Sequence, residues 1–219
     1  MTHVTALFMQ GTITALMPNG RGRVRVYLDG QVGLELANGL AAALSVGQQL
    51  GSDQVSELQA RDRQESAYRQ ALRLLARRPR SERELQIRLD RMGLAEADQN
   101  EVMGRLREAK LVDDAEFAAA WLENRMAFRP RGTGALRVEL RRKGVPEEII
   151  KSALEGFDEE DAALRAARQG ARKFEHLSPE TFRQRLSAYL VRRGFQHPTI
   201  SPLVEQLAAE RAMESEEST

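Results

Sequence analysis

The chain has no cysteine, and that absence removes disulfides, thiol nucleophiles and cysteine-based zinc sites together. Aromatics make up only 5% of the 219 residues, with a single Trp, so leucine, alanine and valine must do most of the packing. The three histidines, His3, His176 and His197, stand far apart with no metal-ligand spacing. No G-x4-G-K-[ST] stretch occurs, and Gly20-Arg21-Gly22 is not a phosphate loop, so the usual means of holding ATP is missing. No nucleophile–base constellation stands out either. We expect no catalytic residue, no metal, no cofactor and no enzymatic activity. No apolar run approaches the 18 or so residues of a membrane span, and the N-terminus lacks a basic-then-apolar leader pattern. The expectation is a cytoplasmic protein that does not enter membranes.

What the chain does have is a repeat. Leu85-x3-Leu89-x3-Gly93-Leu94 recurs as Leu136-x3-Leu140-x3-Gly144-Val145 and as Leu186-x3-Leu190-x3-Gly194-Phe195, at offsets of 51 and 50 residues. Each copy carries an arginine two positions before its glycine: Arg91, Arg142 and Arg192. A period of this length marks a tandem helical array. The leucines form a core stripe, and each glycine ends its helix in a left-handed cap that a Cβ would disfavour. Pro79 and Pro130, also 51 apart, break the chain ahead of the first two copies. Ser81 with Glu84 forms a capping box at one helix start, and Asp113 with Glu116 a similar cap at another. Asp113-Asp114-x-Glu116 also has the make-up of a cation site, but capping explains the same residues better. Asp158 caps a further helix, and Ser178-Pro179 opens the one after it.

The first 51 residues read differently. Arg23-Val24-Arg25-Val26-Tyr27-Leu28 alternates as a half-buried strand, Asp29-Gly30 signals a type I′ hairpin, and Val32, Leu34 and Leu36 resume the alternation. With a first strand over Gly11 to Met17, these make a three-stranded meander. A helical turn follows over Leu40 to Leu44, stopped near Gly47. The fold expected is mainly α: three tandem three-helix repeats in an elongated array, preceded by a small antiparallel β meander. The boundaries are 1–51 for the extension, 52–112, 113–157 and 158–208 for the repeats, and 209–219 for a frayed acidic tail.

Net charge is only +1 but is unevenly spread. Residues 69–143 carry a balance of +6, 144–161 of −6, 162–204 of +6 and 205–219 of −4. Two basic blocks on either side of an acidic joint fit a surface that faces a polyanion. The densest basic stretches are Arg77, Arg78, Arg80 and Arg83 around Pro79, and Arg129 and Arg131 around Pro130. Arg137 and Arg141 share a helix face, next to Lys143. The trio Arg91, Arg142 and Arg192 admits two readings: partners for C-terminal helix carbonyls, or one guanidinium per repeat presented to carboxylates or phosphates. Trp121 falls on a stripe with Phe117 and Leu122 and is expected in the core. If exposed, it would instead serve base stacking or partner docking.

Three blocks of residues also match a family. Arg77-Arg78-Pro79-Arg80-Ser81-Glu82-x-Glu84-Leu85, Leu111-Val112-Asp113-Asp114-x-Glu116-Phe117-Ala118-x2-Trp121 and Glu139-Leu140-x2-Lys143-Gly144-Val145 resemble the RecX regulators of bacterial recombination. The match covers roughly residues 60–207, with the third repeat matching more loosely. The resemblance implies a non-enzymatic modulator of the RecA recombinase. Such a modulator lies in the groove of the RecA filament, blocks its growth or promotes its disassembly, and so limits strand exchange, DNA repair and SOS signalling. It also implies DNA binding in some members. The partners expected are therefore the RecA filament and single- or double-stranded DNA contacted through its backbone, bound by a monomer. The candidate contacts are Arg77, Arg78, Arg80, Arg83, Arg129, Arg131, Arg137, Arg141 and Lys143. The competing expectation is a direct nucleic-acid-binding protein or transcriptional regulator, since short helices joined by tight turns can enter a major groove.

Overall fold

A computed structural model describes residues 10–20 and 22–217, with side chains placed to residue 213. His3 and Arg21 lie outside the described residues. The chain divides into two compact units. One is the chain to Arg80 with Leu85–Leu111, and the other is Ser81–Glu84 with Val112–Thr219.

In the first unit, β1 (Gly11–Pro18), β2 (Arg23–Leu28) and β3 (Gln31–Ala37) form the expected meander. A short β4 (Gln49–Leu50) joins the far side of β1, giving a four-stranded antiparallel sheet in the order β3-β2-β1-β4. The alternation in β2 is real: Val24, Val26 and Leu28 are buried with Ile13, Leu34, Leu36 and Leu50. The hairpin turn places Asp29 at φ 48° and Gly30 at φ 82°, the positive pair that a type I′ turn needs. Val32 departs from the expected pattern and is exposed, because the β2–β3 register shifts between Val26 and Tyr27. A single helical turn, α1 (Asn38–Ala41), follows and ends well before Gly47.

The long α2 (Ser52–Leu75) starts from Gly51, with Gln54 Oε1 accepting from the Gly51 N–H at 2.9 Å. Its buried face contains one acid. Asp62 accepts from the Ala37 N–H at 2.7 Å and from Arg23 Nη2 at 2.7 Å, so it ties the helix to the end of β3 and the start of β2. Asp62→Ala leaves the Ala37 N–H without its acceptor and Arg23 with Glu35 alone. We expect a loss of about 2 kcal/mol, read as a lowered denaturation midpoint with an unchanged slope. An unchanged midpoint would show that the tie carries no energy.

The rest of the first unit packs α4 (Glu96–Glu108) against α2, with Val102, Met103 and Leu106 buried. Leu85 and Leu89 of α3 (Glu82–Asp90) are also fully buried. Arg105 stacks on Tyr68 with its guanidinium carbon 4.0 Å from the ring centre, and pairs with Glu65 at 3.3 Å.

In the second unit, α5 (Asp114–Phe128), α6 (Thr133–Lys143) and α7 (Glu147–Glu155) enclose Phe117, Leu122, Leu136, Leu140, Val145, Ile150 and Leu154. The last three helices, α8 (Glu159–Phe174), α9 (Pro179–Arg192) and α10 (His197–Glu217), surround Phe182, Leu186, Leu190, Phe195, Ile200 and Val204. Here the fully buried positions of α8 are only alanines and Gly170, with Phe174 packed at the edge, so α9 and α10 supply most of the bulk. Helix α10 continues to Glu217, through most of the stretch expected as a frayed tail. No helix among the described residues is long and apolar enough to cross a membrane.

Candidate partner-binding surface

The signature leucines are buried to 1% or less in all three copies, and the signature glycines all adopt positive φ: 74° at Gly93, 81° at Gly144 and 86° at Gly194. The glycines do more than stop helices. In the second unit, the start of one repeat's second helix abuts the end of the next repeat's second helix. Ser81 Oγ donates to the Lys143 carbonyl, and the Gly132 N–H donates to the Arg193 carbonyl at 3.0 Å. A Cβ on Gly144 would collide with the Arg83 stem, and one on Gly194 would lie 2.5 Å from Ala135 Cβ. A Cβ on Gly93 would meet nothing within 4 Å.

An acid from the following repeat caps each of these two helix starts. Asp114 Oδ1 accepts from the Glu82 N–H at 2.9 Å, and Glu159 Oε1 accepts from the Thr133 N–H at 3.1 Å. The expected Ser81–Glu84 box is therefore only half made. Ser81 Oγ accepts from the Glu84 N–H at 3.3 Å, while the Glu84 carboxylate pairs with Lys143 Nζ at 2.9 Å. Asp113 forms its predicted local cap, accepting from the Ala115 and Glu116 N–H groups at 2.7 and 3.1 Å. Asp113 and Asp114 are thus accounted for by helix starts, while the Glu116 carboxylate is exposed and takes no part in the cap, and among the described residues no group of three His, Asp or Glu side chains is placed to hold a metal ion. His176 is exposed, and His197 Nδ1 lies 3.2 Å from Ser201 Oγ.

The caps fix α6 at both ends and so position the basic residues it carries. Arg137 and Arg141 share a face, as their spacing implies, but Glu147 of α7 reaches both, at 2.9 Å from Arg137 Nη1 and 2.7 Å from Arg141 Nε. The hydrogen bond from Arg141 holds the Glu147 carboxyl below the usual carboxylate range, and Glu147 in turn raises the Arg141 guanidinium. Arg131 pairs with Glu139 at 3.0 Å. Arg78 Nη1 donates to the Pro79 carbonyl at 2.9 Å, and Arg80 Nε to the Leu74 carbonyl at 3.4 Å. Of the nine candidate basic residues, Arg77, Arg83 and Arg129 are exposed, and their side chains make no hydrogen bond or ion pair among the described residues.

Glu139 is the hub of a half-buried cluster. Its Oε2 accepts from Trp121 Nε1 at 2.8 Å and from Arg125 Nε at 2.7 Å, and its Oε1 faces Arg131. The Arg125 guanidinium also lies 4.2 Å from the Trp121 ring centre, and Lys143 Nζ lies 5.1 Å from it. Trp121 packs against the Phe117–Leu122 core from its edge rather than within it, because the indole N–H needs an acceptor that the apolar interior lacks.

The trio fares differently from the paired arginines. Arg91, Arg142 and Arg192 are all exposed, and among the described residues none of their guanidinium groups donates to a helix carbonyl or meets an acid. One turn before each stands an exposed aliphatic residue: Ile87, Val138 and Ala188. The periodicity contains this signal, at six positions before each glycine, but only exposure distinguishes these residues from core positions. Each repeat thus offers an aliphatic-then-arginine pair on the outer face of its second helix. Such a pair can pack on an apolar contact while pairing with a carboxylate or phosphate.

Three family models match the chain in tandem. These are the first three-helix domain of RecX over residues 67–106, the second over 113–154 and the third over 158–204. The regulatory protein RecX of Bacillus licheniformis is 30% identical over 193 residues, an alignment spanning 86% of this chain and 73% of that protein. That of a Mycobacterium species (strain JLS) is 38% identical over 159 residues, spanning 68% of this chain and 86% of its own length. Among solved structures, a crystal structure of regulatory protein RecX superposes with a TM-score of 0.67 at 24% identity, over 91% of this chain and all of that one. RecX from Lactobacillus salivarius superposes with a TM-score of 0.58 at 21% identity, over 67% and 97%. Both share the fold.

Proposed function

Since the chain belongs to the RecX family, we propose that it is a non-enzymatic regulator that binds the RecA–DNA filament in the cytoplasm and limits its growth or promotes its disassembly. It would thereby restrain recombination, repair and SOS signalling. The observation that carries the reading is the repeated outer face of the second helices, where Arg91, Arg142 and Arg192 each stand exposed and unengaged. Three modest contacts joined in one chain gain strength through effective concentration. Arg77, Arg83 and Arg129 extend the same chemistry. Arg131, Arg137, Arg141 and Lys143 are secondary candidates, because a partner's acid must first displace Glu139, Glu147 or Glu84.

The test is RecA filament growth on single-stranded DNA with a monomeric preparation of this protein. The intact chain should slow extension, and the Arg142→Glu, Arg192→Glu double variant should need at least roughly tenfold more protein for the same effect, with helicity unchanged. Unaltered potency would remove this face from the interface, and no effect of the intact chain at severalfold excess would sink the proposal. Exposed guanidinium groups also suit DNA phosphates, so a salt titration of DNA binding without RecA separates the alternative. Weak, steeply salt-dependent binding fits a backbone contact that assists the filament role. Tight, sequence-dependent binding at physiological salt fits a transcriptional regulator.

A further inference from the structure

Arg137 and Arg141 lie one turn apart on α6, and the row they begin continues past the end of that helix. Gly144 stands seven positions after Arg137, on the same side of the helix. It has no side chain, and the Cβ and Cγ of Arg83 fill the place beside it where one would stand. Three arginines therefore follow one another along this side of the second unit. Arg83 is exposed, and its side chain makes no hydrogen bond or ion pair among the described residues. One acid meets the row: Glu147, the first residue of α7, accepts from both Arg137 and Arg141.

This bridge is not needed to hold α7 on α6, because Leu136, Leu140, Ile150 and Leu154 already join the two helices in the core. It is also open to exchange. The side chains of Arg137, Arg141 and Glu147 are 41, 57 and 40% exposed, and ion pairs this close to water contribute little. A carboxylate held between two guanidinium groups marks a place that fits an oxyanion. Three cations in line repel one another and suit a continuous polyanion better than a single carboxylate. The exposed aliphatic residue that a protein contact would use as an anchor, Val138, stands one turn before Arg142 instead. We propose that Arg83, Arg137 and Arg141 form a track for a nucleic-acid backbone and that Glu147 guards it, its carboxylate holding the place of a phosphate until DNA displaces it. The guard would regulate the DNA contact of the filament reading, on which it rests.

The probe is a fluorescein-labelled oligothymidylate, titrated with the full chain and followed by anisotropy without RecA. Glu147→Gln should bind it about fivefold more tightly than the parent, since it releases two exposed ion pairs. Glu148→Gln removes the same charge one residue on, from an exposed side chain with no ion pair among the described residues, and should change binding by less than about twofold. With Arg137→Ala and Arg141→Ala in place, Glu147→Gln should gain no more than Glu148→Gln does. Arg83→Ala should weaken the Glu147→Gln chain about threefold. Equal gains from the two glutamine variants would reduce the effect to general charge and overturn the guard, as would no gain from Glu147→Gln. Unchanged affinity on Arg83→Ala would overturn the track. Stronger slowing of RecA filament growth by Glu147→Gln, without tighter oligothymidylate binding, would give the row to an acidic protein surface instead. If parent and Glu147→Gln both fail to bind, the DNA contact itself falls, whereas slowed filament growth by the parent would still uphold the RecA part of that reading. The two glutamine variants change surface side chains, so their comparison does not depend on how the arginine variants fold.

Discussion

Gly132→Ala should destabilise the second unit by about 3 kcal/mol, although nothing in the backbone at that position asks for glycine. Its φ of −70° and ψ of 156° suit any residue. What forbids a side chain is the neighbour: a Cβ there would fall against the Gly194 carbonyl, 2.6 Å from its carbon, and 2.9 Å from Glu159 Oε1. The carbonyl cannot turn aside, because Gly194 is fixed at φ 86° by the end of α9, and the adjoining Arg193 carbonyl accepts the Gly132 N–H. Glu159 cannot move without releasing the Thr133 N–H and hydroxyl, which it holds at 3.1 and 2.8 Å. For a chain of this size the expected loss corresponds to a melting temperature lower by about 6–12 °C. Gly93→Ala supplies the control. It sits at φ 74° in open space, so its cost is the left-handed penalty alone, about 1–2 kcal/mol. If Gly132→Ala melts like the parent, the helix-end contact at Gly132 contributes nothing of its own.

That comparison also shows which parts of the molecule could be read from the chain. Leu85, Leu89 and Gly93, with their two sets of counterparts, were legible because core stripe and left-handed cap are set within a single helix. The hairpin at Asp29-Gly30 was legible for the same reason. Gly132 was not, since its requirement comes from a carbonyl 62 residues away, and its counterpart in the first repeat is Ser81, which meets the Lys143 carbonyl with a hydroxyl instead. The spacing places Asp114 with Asp113 in a local cap, yet it serves a helix start 32 residues earlier in the chain. Arg137 and Arg141 were correctly placed on one face, but the acid that occupies them lies on the next helix. Basic density therefore marks arginines committed to the fold together with arginines left exposed. The trio Arg91, Arg142 and Arg192 was visible as a repeat from the start, and only its surroundings separate capping from presentation. Each is exposed, and none reaches a carbonyl.

Glu139→Ala should be the most damaging change of a polar residue in the second unit. Glu139 is 16% exposed at its side chain and serves three donors at once. Removing it leaves the Trp121 N–H without its acceptor and deprives both Arg125 and Arg131 of their carboxylate. Taking one partner out of a largely desolvated ion pair costs about 3–5 kcal/mol; the exposure of Arg125 and Arg131, at 21% and 33%, lets water recover part of this, so a loss of about 3 kcal/mol is expected. Glu139→Gln separates shape from charge. Its amide oxygen can still accept from Trp121 or Arg125, so it should cost about half as much. Trp121 is the only tryptophan in the chain, so its fluorescence reports this cluster directly. In the alanine variant the emission should shift to the red as water replaces the carboxylate beside the ring, before any global unfolding. A variant that melts like the parent with unshifted emission would show that solvent serves these three donors as well as Glu139 does. A loss of stability with unshifted emission would place the energy in the Arg131 pair rather than at the indole.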